Sequence, residues 1–191
     1  NDYEQVKRER RAELLAFLKN KIATRNGPEA TLFGTQPYAG KTLAEVAAEQ
    51  GRPYEEVLLD IGPGGASGAY FVMDEALQAR LLADPHVMIC SDGSPTMHHP
   101  RGYGSFAKII EQYVQKEQLL SLPEALRKMT GLPAAALGLP GRGRLETGMK
   151  ADILIFDPAN VRATADFTNP HRRAQGFDYV VVNGKLAWKD G

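Results

Sequence analysis

The chain has 191 residues, 43% of them hydrophobic, with 23 Lys plus Arg against 23 Asp plus Glu. That hydrophobic share supports a packed core and sets the chain apart from disordered sequences. The balanced charge leaves no overall field to gather phosphates, and no apolar run approaches the roughly 20 residues of a membrane helix. Neither nucleic acid nor membrane is expected as a partner. Asn1 is not an initiator methionine, so the start is expected to be a cut or processed end.

The first element is predicted as a helix over about Tyr3 to Lys21, with Leu14, Leu15, Leu18 and Ile22 at helical spacing. Its early turns carry Lys7, Arg8, Glu9, Arg10 and Arg11, a charge run expected as a solvated helix face. Asn26-Gly27-Pro28 stops the helix, and Ala30 to Phe33 reads as a short strand. Thr42 with Glu45 three residues on is a capping box for a helix through Gln50, and Gly51 stands where a C-terminal glycine belongs. A helix over Tyr54 to Ile61, a strand over Ala69 to Met73, and a helix capped by Asp74 and running to about Leu82 come next.

His86 to Cys90 has the length and texture of a strand buried on both faces. Cys90 is the single cysteine. It rules out an intrachain disulfide, fits a reducing, cytoplasmic setting, and is expected to be a buried, inert thiol. The strand runs into the turn cluster Ser91-Asp92-Gly93-Ser94-Pro95. Helices are predicted over Gly104 to Gln118, over Leu122 to Met129 with Ser121 as cap, and over Pro133 to Leu137. After Gly148 the texture turns strand-like at Ala151 to Phe156, Tyr179 to Val182 and Lys185 to Trp188, with Asn183-Gly184 as a tight hairpin. The pattern predicts an α/β chain: helices and strands alternate to about residue 140, and a small β element closes it.

Most of the chemistry lies in Val87 to Gly93 and in His98, His99, Pro100, Arg101, Gly102, Tyr103 and Gly104. A buried strand ending in an acidic residue, followed by a loop and a helix, is how α/β barrels present catalytic groups. Asp92 would then stand at the mouth of a pocket. Alternatively, an Asp before Gly in a turn only caps its own backbone. Adjacent histidines diverge, so His98 and His99 are expected in a solvated loop rather than on one metal. Arg101 offers a planar fork suited to a carboxylate, or else is an ordinary surface arginine. No His-x-His, Cys-x-x-Cys, His-Glu-x-x-His or Gly-x-Ser-x-Gly occurs, and the four histidines do not make a ligand set. Gly141-Arg142-Gly143-Arg144 reads as a plain turn.

From about Phe71 onward the chain resembles the D-aminoacylase (N-acyl-D-amino-acid deacylase) branch of the amidohydrolase superfamily. The likeness rests on Ser91-Asp92-Gly93, on His99-Pro100-Arg101-Gly102-Tyr103-Gly104-Ser105-Phe106, and on the helix with Leu122, Glu124, Ala125, Lys128 and Met129. Gly148 with Ala151-Asp152, and Val182-Asn183-Gly184, match elements common to many amidohydrolases. The resemblance implies the C-terminal part of a TIM-type (β/α) barrel over 1–140, then a few strands of a small β-sandwich domain over 141–191. It also implies a zinc-dependent hydrolase acting on N-acyl-D-amino acids. Asp92 would touch the metal, take a proton from metal-bound water and pass it to the leaving amine. Arg101 would grip the substrate carboxylate, with His99 shaping the loop.

The other zinc ligands would lie in an N-terminal half absent from these residues, so the piece alone is expected to be inactive. Sheet edges left by a part-barrel would invite pairing with a second copy. A non-catalytic dimerising remnant is therefore the alternative from another class. A dihydroorotase- or hydantoinase-like amidohydrolase is the nearer one, and the His-Pro-Arg loop speaks against it.

Overall fold

A computed structural model describes residues 2–94 and 96–189. Pro95, the last residue of the predicted turn cluster, lies outside them, as does Asn1. The chain forms two compact units, one ending at Met73 and the other starting at Asp74.

In the first unit, α1 (Asp2–Glu9) and α2 (Arg11–Ala23) stand where one helix was predicted. The break is at Arg10, with φ −127 and ψ 32. Packing on α4 (Tyr54–Ile61) accounts for it. The Tyr3 hydroxyl donates to the Leu59 carbonyl at 2.6 Å and Lys7 pairs with Asp60 at 2.9 Å, while α2 lies along the same helix. One straight helix cannot meet both demands. Arg11 faces Glu56 at 3.7 Å, so acids on α4 answer the basic run.

Strand β1 (Thr31–Phe33) pairs antiparallel with β2 (Gly68–Tyr70), Thr31 opposite Tyr70 and Phe33 opposite Gly68. The predicted capping box opens α3 (Leu43–Gln50): the Glu45 N–H donates to Thr42 Oγ1 at 3.2 Å and the Thr42 N–H to the Glu45 carboxylate at 2.7 Å. Ile22, Phe33, Leu43, Val46, Ala47 and Val57 fill the core between these elements.

The second unit begins with α5 (Glu75–Ala83), capped by Asp74, whose carboxylate accepts the Leu77 N–H at 2.8 Å. Helix α6 (Arg101–Lys108) starts three residues before its predicted start and continues as a π-helix over Ile109–Lys116. The wider turn sends two adjacent residues into different clusters. Ile109 joins Ile89, Tyr113, Leu120 and Ala125, while Ile110 joins Ala107 and Val161. Helices α7 (Leu122–Met129) and α8 (Gly131–Ala136) follow.

Strands β3 (Ile153–Phe156), β4 (Phe177–Val182) and β5 (Lys185–Lys189) form an antiparallel sheet in that order. Asn183 and Gly184, at φ 49 and 76, make the predicted hairpin turn. The same turn is locked to a motif some thirty residues earlier. Asp152 accepts the Asn183 N–H at 2.8 Å and pairs with Arg142, whose Nη2 reaches Asn183 Oδ1 at 2.8 Å. The Gly184 N–H closes the joint on the Ala151 carbonyl at 2.8 Å. The Asn183 N–H, and after it Arg142, hold the Asp152 carboxyl below the ordinary aspartate range.

The strand predicted over His86 to Cys90 does not form. Strands exist only beside neighbours, and the sheets of the described residues, β1–β2 and β3–β4–β5, do not take this stretch in. Ile89 alone of the stretch is buried, and Cys90 is exposed, which corrects the expectation of a buried thiol. Among the described residues no helix is long and apolar enough to cross a membrane.

Candidate active site

Helix α5 ends at Ala83 and α6 begins at Arg101; the residues between them carry the candidate site. Their stem is fastened to α7 by the Ile89 N–H, which donates to the Lys128 carbonyl at 3.1 Å. Beyond the stem Asp92 adopts φ +46, a conformation aspartate tolerates better than most residues. Gly93 is needed next to it, because a Cβ there would lie 2.9 Å from the Gly102 Cα. Two motifs distant in sequence therefore meet backbone to backbone.

This close approach puts Arg101 on Asp92 at two points. Its Nε donates to the Asp92 carbonyl at 3.0 Å, and its Nη2 lies 3.1 Å from Asp92 Oδ2. The Asp92 side chain is 80% exposed and that of Arg101 42%, so the pair is open to solvent rather than a buried strut. Asp92 was expected to be held by a buried strand; it is held instead by a loop and by this arginine. The His99 Nδ1 accepts the Arg101 N–H at 3.2 Å, and its ring meets Phe167 edge-on at 5.1 Å. An accepting Nδ1 places the ring proton of the neutral form on Nε2. Burial, reinforced by Arg101 and opposed by Asp92, lowers the His99 pKa below the ordinary histidine range.

Sequence reasoning set His171 aside with the other histidines as no ligand set and did not consider Phe167. The His171 ring meets those of His98 and Tyr103 at a tilt, with centroids 5.1 and 5.4 Å away, and its Nε2 lies 2.9 Å from the Met97 carbonyl. No periodicity marks that return of the chain; only the Asn169-Pro170 turn pair hints at it. A cavity of about 320 Å³ between α6 and the β3–β5 sheet is lined by Arg101, Phe106, Leu154, Phe177 and Trp188, but not by Asp92.

Among the described residues no group of three or more His, Cys, Asp or Glu side chains could hold a metal ion. The described residues therefore do not by themselves amount to a metal centre. What they offer is one accessible carboxylate beside one guanidinium.

Residues 9–187 match the model of the Amidohydrolase family. The D-aminoacylase of Alcaligenes xylosoxydans xylosoxydans is 44% identical over 154 residues, which is 80% of this chain and 31% of that protein. A crystal structure of D-aminoacylase superposes with a TM-score of 0.75 at 40% identity, covering 84% of this chain and 35% of the other. The N-acyl-D-glutamate deacylase of Bordetella bronchiseptica, solved with zinc and a phosphonate mimic of the tetrahedral intermediate, gives a TM-score of 0.75 at 33% identity, over 83% and 34%. The chain thus spans about a third of the length of the relatives it matches. With most of its length inside the family model and its α/β fold shared with solved members, the chain belongs to the amidohydrolase family.

Proposed function

We propose that these residues supply part of the active site of a zinc-dependent N-acyl-D-amino-acid deacylase and are inactive by themselves. The observation that carries this is the union of Ser91-Asp92-Gly93 with the His99-Pro100-Arg101 turn, which sets a reachable carboxylate against a reachable guanidinium. The likeness to D-aminoacylase over most of the chain supports the substrate class. In this reading 1–140 is the closing part of a (β/α) barrel and 141–191 gives a few strands of a β-sandwich. The zinc-holding residues come from outside these 191 residues, with Asp92 reaching the metal from this side. The protein works in the cytoplasm and has no nucleic-acid or membrane partner.

Asp92 acts as the base that accepts a proton from the attacking water and as the acid that returns it to the departing amine. Arg101 binds the substrate carboxylate through its fork, exchanging the Asp92 carboxylate for that of the substrate while Nε stays on the Asp92 carbonyl. His99 holds the start of α6 in place. The test is to express the complete protein, load it with zinc and assay amide cleavage of N-acetyl-D-amino acids. Absence of deacylation, or an undiminished rate in Asp92→Asn, would falsify the assignment.

A second reading has its own observation. Ile155 and Leu186, on the face of the three-stranded sheet turned away from the cavity, are 50% and 59% exposed. Such a surface suits a dimerising module without catalysis. Light scattering of the 191-residue chain decides it, since a monomer at micromolar concentration removes this reading.

A further inference from the structure

We propose that Arg127 and Lys128, the consecutive residues near the end of α7, are positioning residues for Asp92. The proposal rests on Asp92 acting as described above.

Lys128 is 0% exposed and is the largest fully buried side chain among the described residues. Its Nζ donates to the Asp84 carbonyl, a main-chain oxygen rather than a carboxylate. Its own carbonyl accepts the Ile89 N–H at 3.1 Å. Arg127 Nη2 donates to the Pro85 carbonyl at 2.6 Å, and Glu124 aims that guanidinium with bonds of 2.7 and 2.8 Å. Two neighbouring residues thus grasp three main-chain groups at both ends of the stem 84–89. Only Cys90 and Ser91 separate the stem from Asp92.

Placing an amine in the core is costly, and burial lowers the Lys128 pKa below the ordinary lysine range. If filling space were its task, methionine would fill the same space without that cost. The polar head answers a specific need. Arg127 and Lys128 tie the Pro85 and Asp84 carbonyls to α7, and the anchored stem sets where the Asp92 loop emerges. Because small displacements at a reacting group cost much rate, the anchors act on turnover more than on binding.

The test compares Lys128→Met, Lys128→Arg, Arg127→Met and Asp92→Asn in the complete zinc-loaded protein with an N-acetyl-D-amino acid. Amide exchange at residues 84–92 is followed in parallel in the same complete protein. Lys128→Met should lower kcat about tenfold or more with KM within about twofold, and raise exchange about tenfold at His86 and Val87, next to the Asp84 carbonyl that it releases. Lys128→Arg, which keeps a donor, should recover part of both. If Lys128→Met does not fold, Arg127→Met carries the test, because its side chain lies at the surface. Wild-type kcat in the folded anchor variants, with Asp92→Asn dead, overturns the positioning role. Full activity in Asp92→Asn overturns the deacylase assignment instead, and unchanged exchange at 84–92 overturns the anchoring itself.

Discussion

Arg101 holds Asp92 by main chain and side chain at once, through Nε to the carbonyl at 3.0 Å and through Nη2 to the carboxylate at 3.1 Å. The first contact fixes where the arginine sits. The second is exposed, screened by solvent and easily exchanged for another carboxylate. An anionic substrate would enter by that exchange and leave Asp92 free to handle protons.

Replacing Arg101 with lysine should therefore not be mild. An ammonium cannot hold the Asp92 carbonyl and a substrate carboxylate together in a planar fork. In the complete protein, Arg101→Lys is expected to raise KM about tenfold or more, with a smaller effect on kcat. Steady-state kinetics on N-acetyl-D-amino acids check this, and an unchanged KM rules out carboxylate binding by Arg101.

Asp92→Asn preserves size and removes the titrating oxygen. Loss of a general acid–base group typically costs about 100-fold or more in rate. The expected outcome is a kcat lower by at least about that factor with KM little altered, measured on the same substrates.

Thr42→Ala deletes one arm of the capping box that opens α3. The expected loss is about 1 kcal/mol, seen as a lower urea midpoint for the first unit. No shift would show that packing of Leu43 and Val46 alone sets the start of that helix.

Gly176 sits at φ 86, and a Cβ there would come within 2.4 Å of the Asn160 carbonyl oxygen. Both the left-handed backbone and the clash oppose any side chain. Gly176→Ala should cost about 2 kcal/mol or more in the second unit. Retained stability by denaturant unfolding would mean that the 160–176 approach can open freely.

The joint between Asp152 and Asn183 has a pH signature. Its folded-state pKa is depressed, so the unfolded chain binds more protons near and below the ordinary aspartate value of 3.8. The stabilisation is present above that value and is lost as pH falls through the lower folded value. Urea midpoints should drop over this acid range. Asp152→Asn should flatten that part of the profile and lower the midpoint at pH 7; a parallel profile in the variant removes the role assigned to Asp152.

Local chemistry made several elements legible in advance. The Thr42–Glu45 box, Gly51, the Asp74 and Ser121 caps and the Asn183-Gly184 turn are decided by bonds within three or four residues, so the sequence shows them directly. The pairing of Asp92 with Arg101 was foreshadowed only as two neighbouring motifs; Gly93 against Gly102 is what brings them into contact.

Other features answer to distant residues. The kink at Arg10 comes from α4, and the return of His171 and Phe167 comes from a loop without periodicity. The apolar run at 86–90 has a strand's composition but no sheet neighbour among the described residues, so composition alone could not make it a strand. Likewise Lys128 looks in sequence like one more charge on a helix. Only folding buries it and turns its amine onto the Asp84 carbonyl, because the partners of a side chain are set by packing across the unit and not by its neighbours in the chain.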